Sequence, residues 1–560
     1  MKILDLLHLI ILFTLFVMTF GGCQFPIEWS GSWFQSAIGH LIMVNSSYIE
    51  TKGECVENQG DKYITVDRTD RDVGYRCIVI HEKHPNVLQY KESMVLKDYH
   101  SLDSLCHDIT GDAVLLSMFR AEGAIPIPCP FKSPPYSFSY NRGNGDCDTM
   151  SKIDSCTDES RLLFTYLACV DVVGTESSGE ELVCLAKWKD GATQYLIGKI
   201  HNAMVTSDED RYRCFVYERI PRNNKVVFRV AQSGDATCNG LLSSTEGSKI
   251  MVLTRIESQH ERCKFPSWVT NHHHWHSLDY KQSYHFSHKN ATLKISRDHG
   301  ITDMKLVCHN IENNSSSSVT LVAHVTEGCS SGYICLVFHH RDSNVIQLYQ
   351  SNKTAPDAGE ACGPGYFNHL KLSVPVTLVT STEQPSTPAT KCSNLGRYTI
   401  KNFAILNNIK KRSVVETSTS HSEHCTDQQL FSSLTIGCNG LADTLEFHSS
   451  CPEEQNTAYY CHGSWTENTT SYLISSPVSR KSTDAKRYCF VFKTSPSSTD
   501  ITVERFSESC SNTHHRLSWT FNLTSQGKCT EISASSDSSF IYLPPLISLT
   551  LAVLVINTCR

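Results

Sequence analysis

One short apolar stretch that carries a cysteine occurs four times and constrains the fold more than any other feature. The copies are Tyr75 to Ile80, Tyr212 to Tyr217, Tyr333 to Phe338 and Arg487 to Phe492. Each is followed by a polar turn and a second apolar run, and that run closes at a serine: Ser93, Ser233, Ser351 or Ser509. This pattern is typical of a β-hairpin with a cysteine on its first strand. The chain is therefore predicted to contain four related units.

The cysteine spacing sorts the four units into two alternating types, A-B-A-B. The type A units share a frame of four cysteines: Cys23, Cys55, Cys77 and Cys106, then Cys263, Cys308, Cys335 and Cys362. The type B units share a frame of six: Cys129, Cys156, Cys169, Cys184, Cys214 and Cys238, then Cys392, Cys425, Cys438, Cys461, Cys489 and Cys510. In type B a tryptophan, Trp188 or Trp465, follows a cysteine by four residues and precedes a tyrosine by seven. We interpret both tryptophans as core residues packed against a disulfide.

The cysteine count itself predicts disulfides. The chain has 25 cysteines, and 24 remain once Cys559 in the C-terminal tail is set aside. An even number behind a secretory signal indicates an oxidising compartment. Each frame can close internally, and the extra cysteines pair among themselves or exchange partners with the frames: Cys147, Cys329, Cys451 and Cys529. The sequence leaves the connectivity open.

Both ends of the chain read as targeting segments. Residues 1–22 combine Lys2, a short apolar core and two glycines, which is typical of a signal peptide. Residues 531–560 contain small residues, a short spacer and an apolar tail, which favours a GPI-attachment signal cleaved near Ser533 to Ser536. A single transmembrane helix is the competing interpretation, and a plainly secreted form is the third. We therefore expect the protein at the extracellular face of the plasma membrane.

The segment between these ends divides into four units and one linker. The predicted boundaries are type A at 23–125, type B at 126–258, type A at 259–374 and type B at 392–530. The Thr-, Ser- and Pro-containing run 375–391 is predicted to be a linker. Short runs rich in Val, Ile, Tyr and Phe alternate with turn residues throughout. The predicted fold class is all-β, with four small disulfide-stapled domains, each a sandwich or a small barrel.

Glycosylation sequons and charge agree with an extracellular address. Seven asparagines stand two residues before Ser or Thr: Asn45, Asn290, Asn313, Asn314, Asn352, Asn468 and Asn522. We expect these side chains to face solvent. The chain carries a formal net charge of −7 and no basic block that would suit a nucleic acid. The expected partner is an extracellular protein or glycan.

The most individual motif opens the first unit and runs from Cys23 through Phe25, Pro26, Trp29 and Gly31 to Trp33. Together with the A-B-A-B cysteine frames, it resembles a family of invertebrate secreted or cell-surface proteins of unknown function built from tandem cysteine-rich domains. The resemblance covers about Cys23 to Cys529 and implies a disulfide-bonded modular protein outside the cell. It supplies no catalytic or binding residues.

Gly31, Ser32 and Trp33 also resemble the Gly-x-Trp opening of lipocalins, in which a tryptophan closes the barrel beneath an apolar cavity. This resemblance implies a second possible function, an extracellular carrier of a small apolar ligand. A unit of about 100 residues is short for an eight-stranded lipocalin, and the other three units lack the motif. A wide apolar cavity in type A would favour a carrier, whereas filled cores would favour surface recognition.

The densest histidine cluster lies in the third unit, and its candidate metal ligands are His272, His274 and His276. Their spacing matches neither a closed structural zinc site nor a catalytic helix, so a polar surface loop is the favoured interpretation. No nucleophile elbow, phosphate-binding loop or dinucleotide motif occurs in the sequence. We therefore expect a non-enzymatic protein without a cofactor, most simply an adhesion or receptor ectodomain.

Overall fold

The structure is a computed structural model. It describes residues 22–68, 72–132, 134–222, 225–257, 262–297, 300–367, 375–380, 390–405, 430–438, 442–449, 456–478, 487–494, 500–510 and 517–529. Residues 1–21 of the predicted signal peptide and the predicted C-terminal anchor segment 531–560 lie outside the described residues. No helix in the described part of the chain is long and apolar enough to cross a bilayer.

The described residues form four closed eight-stranded antiparallel barrels, numbered 1 to 4 along the chain. Barrel 1 contains β1 (Gly31–Gln35), β2 (Ile42–Val44), β3 (Tyr48–Ile49), β4 (Gly53–Gln59), β5 (Lys62–Arg68), β6 (Val73–His84), β7 (Val87–Glu92) and β8 (Leu116–Arg120). Barrel 2 contains β9 (Tyr136–Asn141), β10 (Asp146–Ser155), β11 (Arg161–Tyr166), β12 (Ser178–Asp190), β13 (Thr193–His201), β14 (Tyr212–Arg222), β15 (Lys225–Gln232) and β16 (Lys249–Arg255).

Barrels 3 and 4 repeat this arrangement. Barrel 3 contains β17 (His274–Ser277), β18 (Gln282–Phe286), β19 (Thr292–Arg297), β20 (Thr302–Asn314), β21 (Ser318–Glu327), β22 (Ser330–Asp342), β23 (Val345–Gln350) and β24 (Val376–Thr380). Barrel 4 contains β25 (Gly396–Ile405), β26 (Phe431–Ile436), β27 (Thr444–Ser449), β28 (Thr457–Glu467), β29 (Thr470–Pro477), β30 (Tyr488–Thr494), β31 (Ile501–Phe506) and β32 (Leu517–Gly527). Short helical turns also occur at Ile27–Trp29, Leu102–His107, Asp208–Arg211, Ser267–Thr270 and Ala358–Glu360.

Each barrel is an up-and-down meander in which the last strand pairs with the first. In barrel 1, β8 pairs with β1, and Trp33 lies opposite Arg120. In barrel 3, β24 pairs with β17, and Trp275 lies opposite Thr380. Closure removes the free sheet edges that would otherwise invite aggregation. The all-β, disulfide-rich, tandem-domain prediction is confirmed, and each domain is a barrel rather than a sandwich.

Two predictions about the units are wrong. The segment 375–391 is not wholly a linker, because its first part forms β24, in which Thr377, Leu378 and Val379 are fully buried and complete barrel 3. Composition concealed this strand because the Ser- and Pro-rich residues begin only after Thr380. A unit of about 100 residues also proves long enough for eight strands, since strands such as β3 contain only two residues.

The chain divides into two compact units, Met1–Pro385 with barrels 1 to 3 and Ser386–Arg560 with barrel 4. Within the first unit, barrels 2 and 3 are joined covalently by Cys156–Cys329. The amide of Thr157 also donates to the carbonyl of Gly328 at 2.8 Å. The six-cysteine frame of barrel 2 therefore does not close on itself.

The four predicted hairpins are all present, as β6–β7, β14–β15, β22–β23 and β30–β31. The serines that close them have a role the sequence analysis did not assign. The hydroxyls of Ser93, Ser233 and Ser351 accept hydrogen bonds from the amides of Cys77, Cys214 and Cys335 at 3.0 to 3.2 Å. The serine amides donate back to the carbonyls of the same cysteines. Each serine thus fixes the backbone beside a disulfide.

Two disulfides recur in all four barrels. One joins the residue at the unit's entrance to a later strand: Cys23–Cys55, Cys129–Cys184, Cys263–Cys308 and Cys392–Cys461. The other joins the hairpin strand to the following loop: Cys77–Cys106, Cys214–Cys238, Cys335–Cys362 and Cys489–Cys510. Of the extra cysteines, Cys147 pairs with Cys169 and Cys529 with Cys438. Cys425 and Cys451 lie outside the described residues.

The second recurring disulfide explains why the hairpin strand is apolar on both faces. In β6, Ile78 and Ile80 point into the barrel, while Cys77 points outward. The disulfide to Cys106 holds the short helix Leu102–His107 over the outside of this strand, where Leu102 and Leu105 bury its outer face. The strand is therefore covered on both sides, which is why both of its faces are apolar.

Candidate ligand-binding site

Barrels 1 and 2 pack against each other through an aromatic stack. Tyr212, the first residue of the second hairpin motif, lies parallel to Phe34 and Phe119 of barrel 1, with ring centroids 4.8 and 5.4 Å away. The buried amide of Asn86 donates to the carbonyls of Ile125 and Leu185 at 2.9 and 2.8 Å. Buried aromatic area and buried hydrogen bonds of this kind make a rigid joint between the two barrels.

A cleft of about 370 Å³ lies between barrels 1 and 2. Barrel 2 contributes Trp188, Asp190, Tyr195, Cys238, Asn239, Gly240 and Leu242. Barrel 1 and the loop before β8 contribute Gln89, Lys91, Gly111, Asp112, Ala113 and Leu115. A volume of this size is in the range of small-molecule sites. Because two barrels form its walls, the cleft cannot be recognised from the sequence of either one.

An aromatic pair forms one wall of the cleft. The rings of Trp188 and Tyr195 face each other across β12 and β13, with centroids 5.1 Å apart and planes 6° from parallel. The Tyr195 hydroxyl donates to the carbonyl of Leu241 at 3.3 Å, and burial raises the pKa of this phenol. Trp188 is only half-buried and lies outside the barrel. From there it packs against the apolar cluster that contains the disulfide-bonded Cys214 and Cys238, as predicted, but part of the indole stays exposed.

The other cleft residues provide hydrogen-bonding groups of both kinds. Asp190 forms an ion pair with Lys83 of barrel 1, with Nζ and Oδ2 3.3 Å apart. A hydrogen bond to the Thr110 side chain lowers the pKa of the Asp112 carboxyl, so this exposed group is an anionic acceptor at neutral pH. Lys91 Nζ donates to the carbonyl of Gly111 at 2.7 Å and holds that loop in place. An aromatic face beside carboxylates and an amide suits a ring-shaped, hydroxyl-rich ligand.

Two other clefts are larger but less suited to a specific ligand. A cleft of about 440 Å³ on barrel 2 is lined by Asp158, Arg161, Glu181 and His201 among others, with no aromatic carbocycle. A cleft of about 430 Å³ beside Phe34 is lined by His40 and by Asp208 and Glu209. Phe34 is only 5% exposed, whereas Trp188 is half-buried. The cleft at Trp188 is therefore the better candidate.

The barrel interiors are filled by side chains. In barrel 1, Trp33, Ile78 and Leu88 are fully buried, and Tyr90 donates from its hydroxyl to Gln35 Oε1 at 2.7 Å. In barrel 2, the space beside Tyr166 and Glu180 amounts to about 10 Å³, roughly enough for one water molecule. These packed interiors weigh against a barrel that carries an apolar ligand.

The tryptophan of the Gly-x-Trp motif, Trp33, is fully buried in barrel 1 and contacts an arginine at the end of β8. The guanidinium of Arg120 lies 4.4 Å from the Trp33 ring centroid. Its nitrogens donate to the carbonyls of Glu28, Ser30 and Pro85. Gly31 has φ +132°, and a Cβ there would lie 3.2 Å from Arg120 Nη1, which explains the glycine.

Barrel 3 has a tryptophan equivalent to Trp33, but the residue that faces it is not an arginine. The indole of Trp275 donates to the carbonyl of Val269, as that of Trp33 donates to Trp29. The residue opposite Trp275 is Thr380, where barrel 1 has Arg120. In barrel 3 a threonine thus occupies the position of Arg120, and the His272 ring contacts Trp275 edge-on.

The three candidate metal ligands are not brought together as one set. His274 lies opposite His285, with their Nδ1 atoms 3.3 Å apart, while His272 contacts Trp275 and His276 stacks on Tyr280. Burial, then the neighbouring His274, lowers the pKa of His285. Among the described residues, no group of three His, Cys, Asp or Glu side chains could hold a metal ion.

The sequons lie in barrels 1, 3 and 4. Five of the seven asparagines are exposed, whereas Asn290 and Asn522 are half-buried. Residues 126–258, which contain barrel 2, carry no sequon at all. Trp188 therefore lies in the barrel that has no N-glycosylation sequon.

Comparison with protein families matches three consecutive domains, all of unknown function. Residues 21–110 match DUF7044, residues 125–255 match DUF7042 and residues 259–374 match DUF7043. The matches correspond to barrels 1, 2 and 3, except that barrel 1 continues to Arg120 and barrel 3 to Thr380. Comparison with curated proteins and with solved structures gives no match. These comparisons support a tandem multi-domain protein and assign no activity.

Proposed function

We propose that this protein is a non-enzymatic, extracellular recognition protein that binds a glycan in the cleft between barrels 1 and 2. The single observation that carries the proposal is the half-buried Trp188 ring in that cleft, held parallel to Tyr195. Sugar rings pack their C–H faces on such indoles. Their hydroxyls would find acceptors at Asp112 and Asp190 and a mixed donor and acceptor at Asn239.

The eleven disulfides among the described residues fit an extracellular protein. The predicted signal peptide, the sequons and the resemblance to invertebrate surface proteins support secretion, and the apolar C-terminal tail supports a membrane anchor, preferably GPI, as parts of the same proposal. A rigid scaffold that presents a preformed cleft lowers the entropic cost of binding. The filled interiors favour this function over a carrier of an apolar ligand.

A glycan microarray tests the proposal. The segment 22–529 from a eukaryotic secretory host would be applied to the array as wild type and as Trp188→Ala. We expect the wild type to bind a related subset of glycans and the variant to lose at least about 30-fold in affinity, the effect typical of a central tryptophan.

The matched control is Trp465→Phe, which keeps a ring at the equivalent position of barrel 4. It should leave the array pattern unchanged. A wild-type protein that binds no glycan, or a Trp188→Ala protein that binds the same glycans equally well, would contradict the proposal. Release of a small apolar molecule on denaturation of the purified protein would favour the carrier instead.

A further inference from the structure

Barrel 2 carries an apolar loop that is unusually exposed. The loop joins β11 to β12 and presents Val170, which is fully exposed, Val173, which is 83% exposed, and Leu167, which is 40% exposed. Met150, 62% exposed, lies on β10, the strand that is tied to the loop by Cys147–Cys169. Isolated apolar residues on a surface need no explanation, but several within one stapled segment indicate an interaction site.

The loop is held in one conformation by dedicated contacts. The Thr175 hydroxyl accepts from the amide of Cys169 at 2.9 Å and contacts the carbonyls of Cys169 and Val172 at 3.1 and 2.8 Å. The hydroxyls of Tyr140 and Thr149 donate to the carbonyl of Leu167. These bonds keep the apolar side chains turned outward, although burying them would be favourable by about 25 cal/mol per Å². Preorganisation of this kind lowers the cost of binding a partner.

Acidic side chains surround the apolar residues. Asp146 and Asp148 flank Cys147, Asp171 follows Val170, and Glu176 follows Thr175; all four are exposed. Within 142–150 and 167–176, Arg142 is the only Lys or Arg, and its guanidinium lies 5.7 Å from the Tyr140 ring. The loop therefore has an apolar centre and an anionic rim.

We propose that the stapled loop of barrel 2, residues 167–176, is a docking surface for a protein that presents an apolar pocket rimmed by Lys and Arg side chains. Charge complementarity selects this partner, because the anionic rim would repel acidic proteins and anionic membranes alike. The barrel that carries the loop has no N-glycosylation sequon of its own.

This surface is separate from the glycan cleft. The loop precedes the start of β12 at Ser178, whereas Trp188 lies near the end of the same strand. Ten residues of extended chain separate the two positions, which is about 33 Å. The two sites can therefore be tested independently, and failure of one leaves the other standing.

Selection from a phage-displayed library of random linear peptides on the 22–529 segment tests the proposal. We expect enriched peptides that place a Leu or aromatic residue beside Lys or Arg. Their affinity should fall at least about tenfold for Val170→Ser combined with Val173→Ser, since two central apolar contacts are lost. Asp148→Asn combined with Asp171→Asn should weaken binding less and reduce its dependence on salt.

Two controls separate docking from folding and from the cleft. Ile301→Ser changes an apolar residue of barrel 3 that is 68% exposed and should not affect peptide binding. Trp188→Ala should bind the peptides as the wild type does. Because Val170 and Val173 contribute little buried area, their serine variant should melt at the wild-type temperature.

Three outcomes would overturn the proposal. The first is that selected peptides bind the Val170→Ser and Val173→Ser variant as tightly as the wild type. The second is that peptides sensitive to this variant lack basic residues. The third is that the wild type sediments with phosphatidylcholine vesicles and the variant does not, which would identify the loop as a membrane contact.

Discussion

Barrels 2 and 4 carry the same tryptophan-tyrosine pair, yet the two pairs have different surroundings. Trp188 and Tyr195 are stacked at 5.1 Å, and Trp465 and Tyr472 at 4.7 Å, in both cases as directly opposed residues of neighbouring strands. Trp465 is buried, with 9% of its surface exposed, whereas Trp188 is half-buried and lines the cleft shared with barrel 1. The repeat preserves the pair, and its surroundings decide whether the indole is buried or lines a cleft.

The residue that follows the shared cysteine also has different surroundings in barrels 2 and 4. Leu185 follows Cys184 and joins the apolar contact with barrel 1, whereas His462 follows Cys461 and bonds to the Ser476 hydroxyl at 2.7 Å. The same position of the repeat thus contacts a neighbouring barrel in barrel 2, whereas in barrel 4 it makes a partly buried hydrogen bond. Barrels with one architecture therefore acquire different roles through a few outward-facing residues.

The largest expected difference concerns the two tryptophans themselves. Trp465→Ala should destabilise barrel 4 by about 3 kcal/mol or more, because it removes a buried aromatic side chain. Trp188→Ala should cost barrel 2 about 1 kcal/mol, since part of the ring is already exposed. Hydrogen exchange of β28 and β12 measures both effects. Equal losses in the two barrels would remove the distinction between a packing and a binding tryptophan.

The next effect is a pH dependence of the stability of barrel 4 that arises from His462. Barrel 2 has Leu185 at the equivalent position and should not show it. Burial, and secondarily the charge of Arg487, lowers the pKa of His462 to about 3. Below about pH 6.5 the unfolded chain takes up a proton at this histidine that the folded barrel does not, so stability falls as the pH decreases. Between pH 7.5 and 5 the loss should be about 2 kcal/mol.

His462→Leu, which copies barrel 2, should abolish this part of the pH dependence. Hydrogen exchange of β28 and β29 at pH 7.5 and pH 5, corrected for intrinsic exchange rates, provides the measurement. The same loss in the His462→Leu variant would show that another group is responsible.

The smallest effect concerns a feature of the hairpins. Ser233→Ala removes the acceptor for the buried amide of Cys214 and should destabilise barrel 2 by about 1 kcal/mol, the net contribution of one hydrogen bond. Ser233→Thr retains the hydroxyl and serves as the control. Thermal unfolding followed by circular dichroism measures both, and an alanine variant as stable as the wild type would assign the serine no structural role.

The sequence indicated the strands and their cysteines better than it indicated how they assemble. Ile78 and Ile80 alternate with Cys77, so the strand and its two buried faces could be predicted from local pattern alone. Closure into a barrel depends on strands as short as Tyr48–Ile49, which carry no periodic signal. The strand Val376–Thr380 was missed because a composition typical of linkers follows it directly.

The candidate site was less predictable than the fold. The Trp188 spacing is identical to that of Trp465, so nothing in the repeat distinguishes a cleft wall from a core residue. The deciding residues, Gln89, Lys91 and Asp112, belong to another domain about 75 to 100 positions earlier. The Cys156–Cys329 pairing likewise depends on how barrels 2 and 3 meet, which spacing within one unit cannot reveal.

Fluorine NMR of the 22–529 segment labelled with 5-fluorotryptophan would test the central claim most directly. Trp188→Phe and Trp465→Phe assign the two resonances. The labelled protein would be titrated with soluble oligosaccharides that end in N-acetylglucosamine, galactose, mannose, fucose or sialic acid. The account predicts that at least one of them shifts the Trp188 resonance and leaves that of Trp465 in place. A Trp188 resonance that none of these sugars moves would contradict it.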